Sequence, residues 1–120
     1  MEIDKGLIGG STVLMLLALL EERDFYGYEI IKELREKSEN IFEFKEGTLY
    51  PVLHRMENAG LVKSYRKAAE SGKERKYYSI TAAGLKRFSD EKEQWKTFTL
   101  SVNKVIGGEE PCFCLKGRSF

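Results

Sequence analysis

The sequence predicts a mainly α-helical fold with one small β-hairpin that directly follows a helix. Apolar residues recur at helical spacing over residues 11–37 and again over 48–59. Partly alternating residues rich in Val, Ile and Tyr occupy 61–81, and a helical pattern returns at residue 82. A chain of 120 residues has room for one ordinary hydrophobic core. We therefore expect one domain of the α+β class.

Two helices are predicted to supply most of the core. The first covers about residues 11–22, and either Ser11 or Thr12 can cap its N-terminus with a side-chain hydroxyl. Residues 23–27 are predicted to form a turn. The second helix covers about residues 27–37 and buries one face, which carries Ile30, Ile31 and Leu34. Core packing explains nearly all of the apolar residues in these two helices.

The exposed face of the third predicted helix indicates a function. Helical spacing from Leu49 buries one face, and Gly60 is predicted to end the helix in a left-handed conformation. The opposite face carries Tyr50, Pro51, His54 and Arg55. Their hydrogen-bonding groups suit contacts with base edges, and Thr48 at the helix start is predicted to contact a phosphate. Pro51 is placed in the first turn, where its missing N–H costs little.

The predicted hairpin concentrates positive charge in a nearly neutral chain. The whole chain has 20 basic and 19 acidic side chains, but residues 61–80 hold six basic side chains and two acidic ones. Residues 1–60 hold seven basic and twelve acidic side chains. A helix followed by a basic hairpin is typical of a winged helix-turn-helix, whose helix enters the major groove while the hairpin, or wing, contacts phosphates. The predicted wing contacts are Lys63, Arg66, Lys73, Arg75, Lys76 and Tyr77.

Other interpretations of these residues remain open. Tyr50 can pack beneath the wing instead of contacting DNA, and Arg55 can be a solvated arginine. The basic patch can also face an acidic protein, which would make the chain a winged-helix interaction adaptor. The sequence does not indicate an enzyme, because it has neither a Gly-rich phosphate loop after a strand nor a carboxylate pair at catalytic spacing. His54 is the single histidine, so it builds no His-based metal site or conventional triad alone.

The motifs of this region closely resemble the core of the PadR family of transcriptional regulators. The resemblance rests on GTLYPVLHRMENAGLV, SY and GKERKYYSITAAG, and on LLALLEERDFYGYEIIKEL upstream, which contains the GYEI element at residues 27–30. It covers residues 10–86 and implies a homodimeric repressor that binds an inverted repeat and is released by an inducer. Two features depart from the pattern: Lys73 and Glu74 replace Arg-Pro in the wing, and Arg66 stands where Trp is frequent. A MarR-like regulator is a neighbouring alternative.

A long helix over residues 82–106, capped by Thr81, is predicted to form the dimer. So short a chain leaves nothing else to cover its apolar residues, so we expect a partner subunit to pack on them in a twofold dimer. The resemblance implies the same dimer. The predicted contacts are Phe88, Trp95, Phe98 and Val102. In a second interpretation, paired Trp95 side chains line an apolar cavity at the dimer axis that binds a flat aromatic or cationic effector.

The predicted organisation is a DNA-binding region over 1–81, a dimerisation helix of the same domain over 82–106 and a flexible tail over 107–120. Cys112 and Cys114 in the tail form a C-x-C pair, which lacks the spacing of a zinc or redox motif, so free thiols are expected. A thiol- or metal-responsive regulator is the alternative. No cofactor or metal is predicted. The longest apolar run, 13–20, is too short to span a membrane, and a cytoplasmic location is expected.

Overall fold

The computed structural model describes residues 2–108, and the predicted fold class is confirmed. The helices are α1 (Lys5–Gly9), α2 (Thr12–Glu22), α3 (Gly27–Lys37), α4 (Glu46–Asn58) and α5 (Ala82–Ile106). The strands are β1 (Phe25–Tyr26), β2 (Val62–Ala68) and β3 (Glu74–Ile80). Helix α1 and strand β1 were not predicted. Within residues 2–108, no helix is long and apolar enough to cross a membrane.

The wing is part of a three-stranded antiparallel sheet in the order β1-β3-β2. Tyr77 in the central strand β3 pairs with Tyr26 on one side and with Tyr65 on the other. The prediction of a turn over residues 23–27 was wrong for the two residues of β1. A strand this short has no alternation for sequence analysis to detect, and it forms because the edge of β3 is available for pairing.

One hydrophobic core joins α2, α3, α4 and the sheet. Leu16, Ile30, Leu49 and Leu53, one or more from each helix, are completely buried, and Val62 and Tyr78 bring the sheet into contact with them. The chain divides into two compact units, Met1–Phe88 and a second unit that begins at Ser89, and this core belongs to the first. The core therefore fixes α4 and the base of the wing within a single unit.

The hydroxyls predicted to cap α2 serve the helix before it instead. Ser11 is the N-cap residue, but its side chain makes no cap hydrogen bond. Ser11 Oγ donates to the Ile8 carbonyl at 3.1 Å, and Thr12 Oγ1 donates to the same carbonyl at 2.8 Å. The prediction was wrong because α1 ends here, and the last carbonyls of a helix need donors from outside it.

Helix α4 begins earlier than predicted, and this changes the position of Pro51. The Lys45 carbonyl accepts hydrogen bonds from the backbone N–H groups of Thr48 and Leu49 at 3.0 and 2.9 Å, so the helix starts at Glu46. Pro51 consequently lies in the second turn, not the first. The carbonyl of Gly47 loses its helical donor there, but Gly47 is exposed and water can replace the donor.

The predicted end of α4 and start of α5 are both confirmed. Gly60 has a positive φ of 78°, as a left-handed helix stop requires. The Gly84 N–H donates to Thr81 Oγ1 at 3.0 Å, and the Thr81 hydroxyl lies 2.7 Å from the Gly60 carbonyl oxygen. Helix α5 has the predicted bounds, Ala82–Ile106.

Candidate nucleic-acid interface

Helix α4 presents its predicted contact residues to solvent. Leu49, Leu53 and Met56 anchor one face of the helix in the core, with exposed fractions of 0–2%. The other side carries the exposed predicted contacts, Thr48, Tyr50, Pro51, His54 and Arg55. A helix held by one apolar face, with phenol, imidazole and guanidinium groups on the other, has the arrangement that a groove-reading helix requires.

The cations of the wing are divided between two faces of the sheet. The register pairs Arg66 with Lys76 and Lys67 with Arg75. Side chains alternate along a strand, so Arg66 and Lys76 share the face on which Val62 and Tyr78 meet the core. Lys63, Lys67 and Arg75 share the opposite, outer face, and Lys73 lies in the turn between the strands. The predicted wing contacts therefore do not form one continuous patch.

A groove of about 380 Å³ lies between α4 and β3, and it brings predicted residues of both elements together. Its walls are formed by Gly27, Tyr50, His54, Glu57, Lys76 and Tyr78. Burial, and then the nearby charge of Glu46, raises the pKa of Tyr50. Burial, followed by the charge of Glu57, raises the pKa of Tyr78. Both phenols are thus neutral hydrogen-bonding groups at physiological pH, beside the cation of Lys76.

Glu57 is the acidic member of this groove, and the structure fixes its carboxylate. Ser64 Oγ in β2 donates to Glu57 Oε2 at 2.7 Å. This hydrogen bond links the last turn of α4 to the first half of the wing. The base of the wing is therefore tied to α4 by a side-chain bond as well as by the core.

An aromatic row covers the outer face of the sheet. Tyr65 and Tyr77 stack with ring centroids 5.6 Å apart, and Tyr26 meets Tyr77 edge-on at 5.4 Å. The Arg75 guanidinium lies 4.5 Å over the Tyr26 ring, and the Lys67 ammonium lies 5.5 Å from the Tyr77 ring centre. Tyr77 and Arg75, both predicted as DNA contacts, thus take part in packing on this face.

Several residues that shape this surface were missing from the predicted set, among them Gly27, Glu57, Lys67 and Tyr78. The alternation of side chains along β2 and β3 could have indicated Lys67 and Tyr78, once the strand register was known. Gly27 and Glu57 gave no comparable signal. Their place in the groove depends on how closely α4 approaches α3 and the wing, which no local pattern encodes.

Helix α5 exposes most, but not all, of its predicted contact residues. Trp95, Phe98 and Val102 are 43%, 57% and 37% exposed, and the centroids of the Trp95 and Phe98 rings lie 6.1 Å apart. Phe88 is only 8% exposed and belongs to the core of the first unit. The predicted place of Phe88 in the dimer surface is therefore corrected. Phe88 lies seven residues before Trp95, which fits a helix–helix seam, but the hydrophobic core already covers its ring.

The exposed apolar residues of the second unit have the spacing of a helix–helix seam. Trp95, Phe98, Val102 and Val105 follow one another at intervals of three, four and three residues, and Val105 is 86% exposed. Cys112 and Cys114 lie outside the described residues. Within residues 2–108, no three His, Cys, Asp or Glu side chains are grouped to hold a metal ion.

Comparisons with known proteins agree with this architecture. A transcriptional regulator from Clostridium thermocellum has 38% identity and a TM-score of 0.78, over 85% of this chain and 96% of that one. A PadR-like transcriptional regulator from Bacillus cereus has 30% identity and a TM-score of 0.76, over 88% of this chain and all of that one. An uncharacterized protein from Lysinibacillus sphaericus is 37% identical over 87% of this chain and 95% of its own length.

The family assignment rests on the region that contains the described interface. The family model for transcriptional regulators of the PadR-like type matches residues 16–90, more than half of the 120 residues. This stretch runs from α2 through α4 and the wing into the first turns of α5. The chain therefore belongs to the PadR-like family of transcriptional regulators.

Proposed function

We propose that this regulator is a dimeric repressor that binds an inverted-repeat DNA operator. One observation carries the proposal: α4 is anchored by Leu49 and Leu53 in the core while His54 and Arg55 are exposed beside a basic wing. Family membership supports DNA binding, because PadR regulators bind DNA, and it excludes an enzyme. Since a regulator acts where the DNA is, we propose a cytoplasmic location.

Each part of the surface has a role in this proposal. Helix α4 enters the major groove, where His54 and Arg55 contact base edges, Tyr50 lines the edge of the contact and Thr48 and Pro51 lie near the backbone. Arg66 and Lys76, on the side of the sheet that faces α4, contact the adjacent phosphates. Lys73 in the wing turn reaches the next groove. The outer-face residues Lys63, Arg75 and Tyr77 contribute through charge and through the packing of the wing.

The dimer forms through α5 of two copies. The seam of Trp95, Phe98, Val102 and Val105 is an exposed apolar surface that a second copy would cover. A twofold axis relates two copies of α4, and DNA that contacts both then carries the two half-sites as an inverted repeat.

Release by a small molecule is the regulatory part of the proposal. The rings of Trp95 and Phe98 are both exposed and inclined by 36° to one another. Paired across a dimer axis, they would offer faces on which a flat aromatic compound stacks. A bound compound would separate the helices and alter the distance between the two copies of α4.

The test is fluorescence anisotropy on labelled duplex DNA from upstream of the gene for this protein, repeated across salt concentrations. We expect saturable binding that random DNA competes for poorly and that weakens steeply with salt. Arg55→Ala should weaken binding about tenfold or more, because it removes one contact with a base edge. Lys5→Ala removes another exposed cation, in α1, and should leave binding unchanged.

Two outcomes would contradict the proposal. Equal affinity for upstream and random DNA, with no effect of Arg55→Ala, would exclude sequence-specific recognition by α4. No binding even at low salt would favour the interaction adaptor, whose basic wing faces an acidic protein. Alkylation of the protein's thiols tests the thiol-responsive alternative, which predicts a change in DNA affinity.

A further inference from the structure

The start of α3 and the recognition helix α4 meet at one very close contact. A Cβ atom placed on Gly27 would lie 2.5 Å from Tyr50 Oη and closer still to Tyr50 Cε1, whereas Cβ atoms essentially never approach other atoms within 3.0 Å. Gly27 is buried, and the phenol ring of Tyr50 occupies the space that a side chain would need. The ring is therefore seated directly on the backbone of α3.

The backbone conformation does not explain the glycine. Gly60, Gly72 and Gly107 have positive φ angles, which favour glycine, but Gly27 is not among the glycines with positive φ. It is the first residue of a regular helix, where most residues are accepted. A side chain at this position would therefore displace the ring of Tyr50, whereas the local backbone geometry would accept it.

We infer that Gly27 and Tyr50 form a lock that sets the orientation of α4 toward DNA. The core holds α4 along one stripe, Leu49, Leu53 and Met56, and the Ser64–Glu57 hydrogen bond holds only its last turn, so rotation of its first half about that stripe is opposed by further contacts. Tyr50 follows Leu49 by about 100° around the helix, so its contact with Gly27 adds a second line of support. His54 lies one turn further along the same side, and its direction depends on that rotation.

This inference rests on the proposed DNA binding and assigns Tyr50 a positioning role rather than a base contact. The phenol is 39% exposed, so a direct hydrogen bond from its hydroxyl to DNA is the competing explanation. The two explanations differ in which atoms matter. A lock needs the ring and the empty space at Gly27, while a DNA contact needs the hydroxyl and is indifferent to Gly27.

The experiment is a double-mutant cycle on the full-length protein with Gly27→Ala, Tyr50→Ala and the double variant. Each protein is measured by anisotropy on the upstream duplex and on random DNA. Gly27→Ala should weaken operator binding about tenfold, because the new methyl group displaces the ring. The same substitution in the Tyr50→Ala background should change affinity less than about twofold, because the space is then vacant.

A change in orientation also has a signature that loss of stability lacks. Contacts of the wing with phosphates do not depend on the rotation of α4, so Gly27→Ala should spare random-DNA binding and reduce the ratio of operator to random affinity. Equal losses of operator and random-DNA affinity in folded Gly27→Ala protein would overturn the positioning role.

Two further variants complete the test. Tyr50→Phe keeps the ring and should bind the operator within about twofold of wild type, with a normal specificity ratio. A loss equal to that of Tyr50→Ala would assign the hydroxyl to DNA and overturn the inference. Gly9→Ala is the control glycine, since a Cβ there meets nothing within 4 Å, and it should leave affinity unchanged.

Urea unfolding of the same proteins separates failure of the lock from failure of the proposed function. Gly27→Ala should destabilise the protein only when Tyr50 is present. Additive effects of the two substitutions on the free energy of unfolding would disprove the lock, whether or not the wild type binds DNA. Absence of DNA binding by the wild type would refute only the proposed function. If Gly27→Ala does not fold, recovery of folding in the double variant supports the lock and continued misfolding overturns it.

Discussion

The hydrogen bond between Tyr65 and Asp24 shows how a single residue pair fixes the wing to the helical part of the first unit. Tyr65 Oη donates to Asp24 Oδ2 at 2.6 Å, although the two residues are 41 positions apart. This bond, with smaller contributions from burial and from the charge of Asp24, raises the pKa of Tyr65 from 10.0 to about 12. The bond therefore stabilises the neutral phenol in the folded protein.

Asp24→Asn should lower the pKa of Tyr65 below its wild-type value of about 12, because the neutral asparagine oxygen accepts a weaker hydrogen bond and carries no charge. Tyr65 has a higher pKa folded than unfolded, so its stabilisation is complete below pH 10 and is lost as the pH rises through 12. Wild type should consequently lose more stability than Asp24→Asn over this interval. NMR titration of the tyrosine Cζ resonances, with Tyr65→Phe for assignment, checks the shift. Equal pKa values in both proteins would contradict it.

At the scale of the elements, the two faces of the wing place its cations in different surroundings. Arg66 and Lys76 share the side of the sheet that meets the core, where Lys76 borders the groove beside α4. Lys67 and Arg75 lie on the outer face against the rings of Tyr77 and Tyr26. Alternation along a strand thus gives adjacent cations different surroundings.

Lys76→Ala should weaken operator binding more than Lys67→Ala, although both variants lose one exposed cation of the same wing. If Lys76 contacts a phosphate, the slope of log affinity against log salt should become shallower by about 0.9. Lys67→Ala should leave the slope nearly unchanged. Anisotropy titrations at several salt concentrations measure both quantities. A larger effect of Lys67→Ala would place the outer face, and not the α4 side, against DNA.

The junction of β3 and α5 is held by unusually close backbone approach. The Thr81 N–H donates to the Leu61 carbonyl at 3.0 Å, and the Thr81 hydroxyl connects the Gly60 carbonyl to the Gly84 N–H. A Cβ on Gly84 would overlap the Leu61 carbonyl oxygen, so only glycine fits without a shift of the backbone. The end of α4 and the start of α5 are therefore positioned by one set of contacts.

Thr81→Ala should lower the free energy of unfolding by about 1–2 kcal/mol, because it removes the cap of α5 and the side-chain donor to the turn after α4. Thr81→Ser keeps the hydroxyl and should retain most of the stability. Urea unfolding followed by circular dichroism compares the two variants with wild type. Equal losses in Thr81→Ala and Thr81→Ser would show that the methyl group, not the hydroxyl, stabilises the junction.

At the scale of the whole molecule, the exposed apolar residues of α5 are the strongest reason to expect assembly. Trp95, Phe98, Val102 and Val105 have the three–four spacing of a coiled-coil seam, whereas the described residues before them bury most of their large apolar side chains. A surface of this kind is costly to leave in water. A second copy of the helix offers a complementary seam by symmetry.

Val102→Glu should shift the protein from dimer to monomer and weaken operator binding with it. A carboxylate in the middle of an apolar seam loses hydration without gaining a partner, and we expect the dimer dissociation constant to rise about 100-fold or more. Ser101→Glu adds the same charge at an exposed neighbouring position and serves as the matched control. Sedimentation equilibrium measures both. An unchanged dimer in Val102→Glu would mean that the seam does not lie at the interface.

The sequence by itself determined four of the five described helices, the wing and the family. The left-handed conformation of Gly60, the hydrogen bond of the Thr81 cap and the bounds of α5 were all predicted correctly. A helix stop, a helix cap and a 3.6-residue period each depend on only a few neighbouring residues. The motifs of residues 16–90 are likewise local strings, so the family could be identified before any tertiary contact was known.

Only the tertiary structure decided which of these residues act together. It placed Phe88 in the core, paired β1 with β3, divided the wing cations between two faces and seated Tyr50 on Gly27. These facts depend on contacts between segments that are far apart in the chain. A local pattern indicates which side of a helix or strand is apolar, but it does not indicate which residues that side will contact or at what distance. The geometry of the site is set by how closely α4 approaches α3 and the wing.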